Sequence, residues 1–197
     1  MQSQLASTSK STITSTITMS LLLATLLPGL LLLLVGVPLL VNHSGFAATL
    51  KALPRSATAT VVFFGTGAAW FLYNIWHLSP ADFGDYRKPL CVGFAVVAIA
   101  AFKCVPDFLA VRGMCALMLV AASPLLGAAY MEYQYPQRLI MVSLVYFGVA
   151  LAIWLGAQPW RLRDFIGWLF ARRGRARAVG AALTAYGLLL AGVAFTY

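Results

Sequence analysis

The chain has 197 residues, 61% hydrophobic and only 10% charged, with a mean hydropathy of +0.87. Soluble domains carry roughly 25% charged residues, so there is too little polar surface here to cover a water-soluble sphere, which excludes a soluble globular enzyme, a disordered chain and a nucleic-acid reader. The formal charge of +9 then reads as the positive-inside bias of a polytopic membrane protein rather than as a nucleic-acid footprint, and no nucleic acid is expected as a partner.

Residues 1–20 form a Ser/Thr-rich tract with Lys10 as its one charge, a composition that cannot bury a core and predicts a mobile tail. Residues 21–197 follow as a single transmembrane bundle. Leu21 to Val41 is an uncharged run long enough to span, since a crossing helix needs about 20 apolar residues. A cleaved signal peptide is the rival reading of 1–48, but the apolar run is too long for a signal core and its leading segment has only Lys10. A short interfacial helix is expected over Gly45 to Arg55, ending at Pro54. The second span is 57–75, closed by Trp70, Phe71, Tyr73 and Trp76.

The third is 89–102, short between Lys88 and Lys103. Those lysines can snorkel to opposite interfaces, and residues 104–109 extend the apolar stretch. The remaining spans are 113–131, bounded by Arg112 and Glu132, then 139–157 after Arg138, and 178–197. The expected fold is therefore all-α: a polytopic integral membrane bundle of six transmembrane helices (five if 89–106 does not span), plus an interfacial amphipathic helix near 160–172. No internal repeat is apparent, which weakens an inverted-repeat transporter reading.

Six spans put Lys51, Arg55, Lys103, Arg112 and the arginines of 158–177 on one side, against Lys10, Arg87, Lys88 and Arg138 on the other. Basic loops face the cytoplasm, so the 158–177 loop is expected inside a bacterial inner membrane with both termini outside. Removing the third span would set Lys51 and Arg55 opposite the Arg-rich loop, a worse fit.

Small residues spaced four apart mark expected helix contacts: Gly148, Ala152 and Gly156 on the fifth span, Gly187 and Ala191 on the sixth, and Gly65, Ala68 and Ala69 along the second. Intramolecular packing is the favoured reading over homo-oligomerisation. Ionisable groups are almost absent from the spans, which removes the usual residues of ion-coupled transport. The mid-depth Thr and Ser hydroxyls can return their bonds to the helix backbone.

His43 and His77 are predicted at opposite ends, too far apart to share a haem, and Cys91, Cys104 and Cys115 lack metal spacing. No cofactor or metal is expected. The one polar cluster lies outside: His77, Asp82, Asp85 and Arg87, with Glu132 and Arg138 in the other outer loop. Imidazole and carboxylates suit a divalent cation, but a solvated turn pairing Asp82 and Asp85 with Arg87, Lys88 or Arg138 is favoured. On the inner face, Arg161, Arg163, Arg172, Arg173, Arg175 and Arg177 can meet the phosphates of anionic lipids. Trp160, Phe165, Trp168 and Leu169 are expected to share the apolar face of that interfacial helix.

The leading functional reading is a non-catalytic membrane protein acting through lipid and packing contacts, as a structural or accessory subunit of a membrane complex or a homo-oligomer. One alternative is a transporter or channel for an apolar or lipid-like molecule, with a cavity lined near Pro28, Thr66 and Pro124. The other is a membrane enzyme using the outer His77, Asp82 and Asp85.

Overall fold

The computed structural model describes residues 19–79, 81, 83–104 and 107–197; the predicted tail up to residue 18 and Asp82 lie outside the described residues. Among the described residues eight helices follow one another: α1 (Leu21–Val41), α2 (Ser44–Ala52), α3 (Ala57–Trp76), α4 (Arg87–Cys104), α5 (Leu109–Ala129), α6 (Arg138–Ala157), α7 (Trp160–Phe170) and α8 (Arg173–Ala194). The protein is an all-α membrane bundle, and no strand occurs among the described residues.

Five helices, α1, α3, α5, α6 and α8, are long and apolar enough to cross a membrane. The doubtful sixth element forms one 18-residue helix, α4, with Arg87, Lys88 and Lys103 near its ends. At 1.5 Å per residue it extends about 27 Å, close to the hydrocarbon thickness. The helix runs to Cys104, and the next described residues, Asp107 and Phe108, make a turn in which Phe108 takes a left-handed φ of 56°. Two other boundaries also move. Arg112 sits inside α5 rather than before it, and Arg173, Arg175 and Arg177 belong to α8 rather than to a loop.

The bundle is assembled through small residues. α1 runs antiparallel to α8, and a Cβ on Gly180 would come within 2.8 Å of Leu39 C and 2.9 Å of Gly36 O. One on Gly187 would lie 2.9 Å from Gly29 O, and one on Gly36 would lie 2.7 Å from Thr184 Oγ1. Only glycine permits these backbones to approach so closely. Apolar side chains gain little by leaving lipid, so such close van der Waals packing carries helix association. Gly148 and Gly156 face Met118 and Cys115 of α5 at contact distance, with Ala152 buried between them, as their spacing predicts. On α3 the predicted stripe is displaced: Gly65 has open space, whereas Gly67 is buried and lies against Gly113 and Leu117 of α5.

That displacement has a local cause. Val61–Gly65 is a π-helical segment, whose extra residue per turn rotates everything beyond it relative to a regular 3.6-residue count. The π segment abuts Gly113, where a Cβ would lie 2.6 Å from that of Phe64. α4 packs chiefly along α3, through edge-to-face pairs Phe64–Phe102 at 5.2 Å and Phe71–Phe94 at 5.1 Å, and buries none of its residues.

The contacts divide the turns between two ends. Residues 42–56, 107–108 and 158–172 lie at one end. At the other, the start of α1 and the turn after α5 meet the end of α8, and the end of α3 lies at that same end. There the Thr25 hydroxyl lies 3.4 Å from the Tyr197 hydroxyl, Tyr135 meets Tyr197 edge-on at 5.4 Å, and Gln137 Nε2 donates to Thr196 Oγ1 at 3.3 Å. Thr25 also donates to Leu21 O at 2.9 Å, the expected return of a hydroxyl to its own helix. Thr184 Oγ1 departs from that pattern and is buried without a hydrogen-bond partner against Gly36.

Candidate functional site

At the basic end, α7 packs against α2, α6 and α8. Leu162, Ile166 and Leu169 recur at i, i+4 and i+7 and point inward: Leu169 joins Leu39 and Ala176, with Phe46 and Leu50 of α2 packed on them, and Leu162 lies against the Val111–Cys115–Ala152–Leu155 cluster. Arg161, Phe165 and Trp168, one position earlier in each case, form a parallel exposed stripe. Leu169 therefore does not share the face of Trp160, Phe165 and Trp168. Consecutive helical residues point about 100° apart, so Trp168 faces out (49% exposed) when Leu169 faces in (3%). Trp160 and Phe165 are also about half exposed. The outer stripe is thus aromatic and cationic, with the Phe165 and Trp168 rings stacked at 5.8 Å.

The six arginines separate into two sets. Arg161 binds Gln158 Oε1 and lies 5.1 Å over the Trp154 ring. Arg163 pairs with Asp164 at 3.0 Å, and Arg175 sits 4.6 Å over Trp168 while donating to its carbonyl at 3.2 Å. Arg172, Arg173 and Arg177 are exposed and make no side-chain hydrogen bond or ion pair among the described residues. Because exposed ion pairs contribute little, this end keeps almost all of its positive charge in play.

The interfacial helix foreseen near Gly45 appears as α2, with a 3₁₀ turn at Leu53–Arg55. Its N-cap is His43, whose Nδ1 accepts the Phe46 N–H at 3.3 Å. Lys51 lies 5.4 Å over the Phe170 ring, tying α2 to α7. The basic end therefore gathers Lys51, Arg55, Lys103, Arg112 and the six arginines of α7–α8, ten of the fourteen Lys and Arg residues.

At the opposite end, the described members of the polar cluster read from the sequence make their contacts separately, and Asp82 lies outside the described residues. His77 turns back on its own helix, its Nδ1 donating to Tyr73 O at 2.8 Å with the ring tilted over Tyr73 at 4.1 Å. Glu132 accepts from Gln134 Nε2 at 2.9 Å. Arg138 donates to Ala129 O and lies 4.7 Å over the Tyr133 ring. Among the described residues, no hydrogen bond or ion pair joins His77, Asp85 or Arg87 to Glu132 or Arg138, and Asp85 makes no ion pair with Arg87, Lys88 or Arg138. The reason is topological: His77, Asp85 and Arg87 lie between the end of α3 and the start of α4, which packs chiefly along α3, whereas Glu132 and Arg138 join α5 to α6. No group of three His, Cys, Asp or Glu able to hold a metal occurs among the described residues.

Arg138 instead borders a hollow of about 260 Å³ at the mouth of the α5–α6 pair, with Tyr130, Tyr133, Tyr146, Leu126 and Val142 among its walls. A second hollow of about 500 Å³ opens at the α1–α2 junction between Val37, Pro38, His43 and Phe46. His43 and His77 lie at opposite ends, as the topology requires. Cys115 is buried, Cys91 half-buried and Cys104 exposed, all as free thiols.

No family model matches this chain, and no curated protein or solved structure resembles it.

Proposed function

We propose that this chain is a non-catalytic integral membrane protein that works by contact, as an accessory subunit of a membrane complex held in register by its basic end. The observation that carries the reading is the concentration of ten cations and the exposed rings of Trp160, Phe165 and Trp168 at one end of the bundle. Rings of this kind rest at the headgroup level while guanidinium groups meet anionic phosphates, with about 1 kcal/mol gained per basic residue near an anionic surface. The positive-inside rule assigns that end to the cytoplasmic side of a bacterial inner membrane. Six crossings, with α4 as the third, leave both termini outside.

Two experiments test this. Gentle detergent extraction followed by size analysis is expected to return the chain with a partner or as a homo-oligomer; a clean monomer without partners overturns the subunit reading. Topology reporters fused at each end of the chain are expected to report an external location for both. A cytoplasmic report from one of them alone removes a crossing, and α4 is the first helix to be struck out.

A further inference from the structure

The hollow between α5 and α6 joins an apolar floor to a cationic rim. Its mouth carries a guanidinium, Arg138, with no carboxylate partner among the described residues. One of the five donors of Arg138 is given to Ala129 O and a face rests on Tyr133, so further N–H groups remain open at the rim. Its floor and walls are apolar and aromatic, formed by Leu126 of α5 and by Leu139, Val142 and Tyr146 of α6. Arg138, Val142 and Tyr146 are spaced four apart and lie along one side of α6, so the furrow runs about 12 Å from the guanidinium toward the middle of the helix. A cation at the rim and an apolar channel beneath it match a molecule with an anionic head and a hydrocarbon tail. A channel of the same shape for a protein helix would not need an unneutralised charge at its end.

We propose that this furrow holds one phospholipid of the adjoining leaflet, its phosphodiester against Arg138 and an acyl chain along Leu126, Val142 and Tyr146. The site lies at the end opposite the arginines of α7–α8 and is independent of the anchoring role given to them. Planar guanidinium recognises phosphate through paired N–H groups, and the two oxygens of a phosphodiester suit the donors left at the rim.

Native mass spectrometry of the full chain, titrated with phosphatidylglycerol in mild detergent, tests the assignment. The wild type is expected to keep one phospholipid through detergent exchange. Arg138→Gln removes the charge, Val142→Phe fills the furrow while leaving the charge, and each is expected to weaken retention of that lipid by about tenfold, in line with losing a charge-assisted bond or its matching apolar contact. Arg138→Lys should recover part of the loss, and Arg87→Gln, at the same end but outside the furrow, should change nothing. Should Arg138→Gln fail to fold because Ala129 O loses its partner, Val142→Phe and competition by inorganic phosphate decide the matter.

Three results overturn the proposal. Retention unchanged by Val142→Phe means that charge alone binds. Full displacement by millimolar inorganic phosphate makes the site one for the free anion. A wild-type dimer that Val142→Phe converts to monomer makes the furrow a seat for a second copy of the chain.

Discussion

The α1–α8 pair and the α3–α4 pair are both antiparallel helix contacts in the same bundle, and they are built on opposite principles. Between α1 and α8, glycines seven residues apart on each strand of the contact, Gly29 with Gly36 and Gly180 with Gly187, leave backbone against backbone. Between α3 and α4, aromatic rings meet edge to face while α4 buries none of its residues and Gly93 meets nothing within 4 Å. α1 is uncharged and α4 carries three cations, yet hydrophobicity is not what separates their attachment. In a solvent as apolar as the side chains, how closely two backbones can approach decides which helix is held and which is merely adjacent.

The contrast can be broken from its strong side first. Gly180→Leu drives side-chain atoms into the Leu39 and Gly36 backbone and is expected to cost about 3 kcal/mol or more, read as loss of the unfolding transition in mixed detergent followed by tryptophan fluorescence. Retention of wild-type stability would mean that α1 and α8 do not meet at this register. Gly113→Ala sets a methyl 2.6 Å from the Phe64 Cβ, and the same assay should register about 1–3 kcal/mol, since the π segment has room to yield only by regularising. Phe94→Ala removes one aromatic pair from α4, and about 0.5–1.5 kcal/mol is expected because lipid tails fill the vacated place. Last, Gly93→Ala should leave stability within about 0.5 kcal/mol of wild type, as for a helix face open to solvent. A cost at Gly93 equal to that at Gly113 would abolish the distinction and point to a partner covering α4.

The helices themselves were legible in the sequence because a crossing segment declares itself by length and by the absence of charge. Boundaries were less so: Arg173, Arg175 and Arg177 read as loop residues because they are charged, but a helix can start outside the apolar zone and carry them on its first turns. The α1–α8 contact was half visible. Gly187 was identified with Ala191 by a spacing of four, whereas the pattern that matters, Gly29–Gly36 and Gly180–Gly187, has a spacing of seven and reveals itself only as a matched pair on two helices. The stripe on α3 was misplaced because a π turn, which composition does not announce, shifts the facing residue from Gly65 to Gly67.

The site was least legible where it depended on which turns are neighbours. His77 and Asp85 share an end with Glu132 and Arg138, but α4 docks chiefly on α3, and no hydrogen bond or ion pair joins the two groups among the described residues. At the basic end, the composition of α7 was read correctly as aromatic and cationic, whereas the direction of each ring needed the inward stripe of Leu162, Ile166 and Leu169 to be known.

The pairing of α1 with α8 also sets an order of events during synthesis. α1 enters the membrane before the other described helices and α8 leaves the ribosome after them, so the most extensive helix contact among the described residues joins the segments furthest apart in time. Until α8 arrives, the Gly29–Gly36 furrow of α1 faces lipid or a temporary companion, and the loop to be closed is most of the chain, the slowest class of contact to form. A chain halted before residue 173 would leave Gly29 and Gly36 without the helix that packs on them.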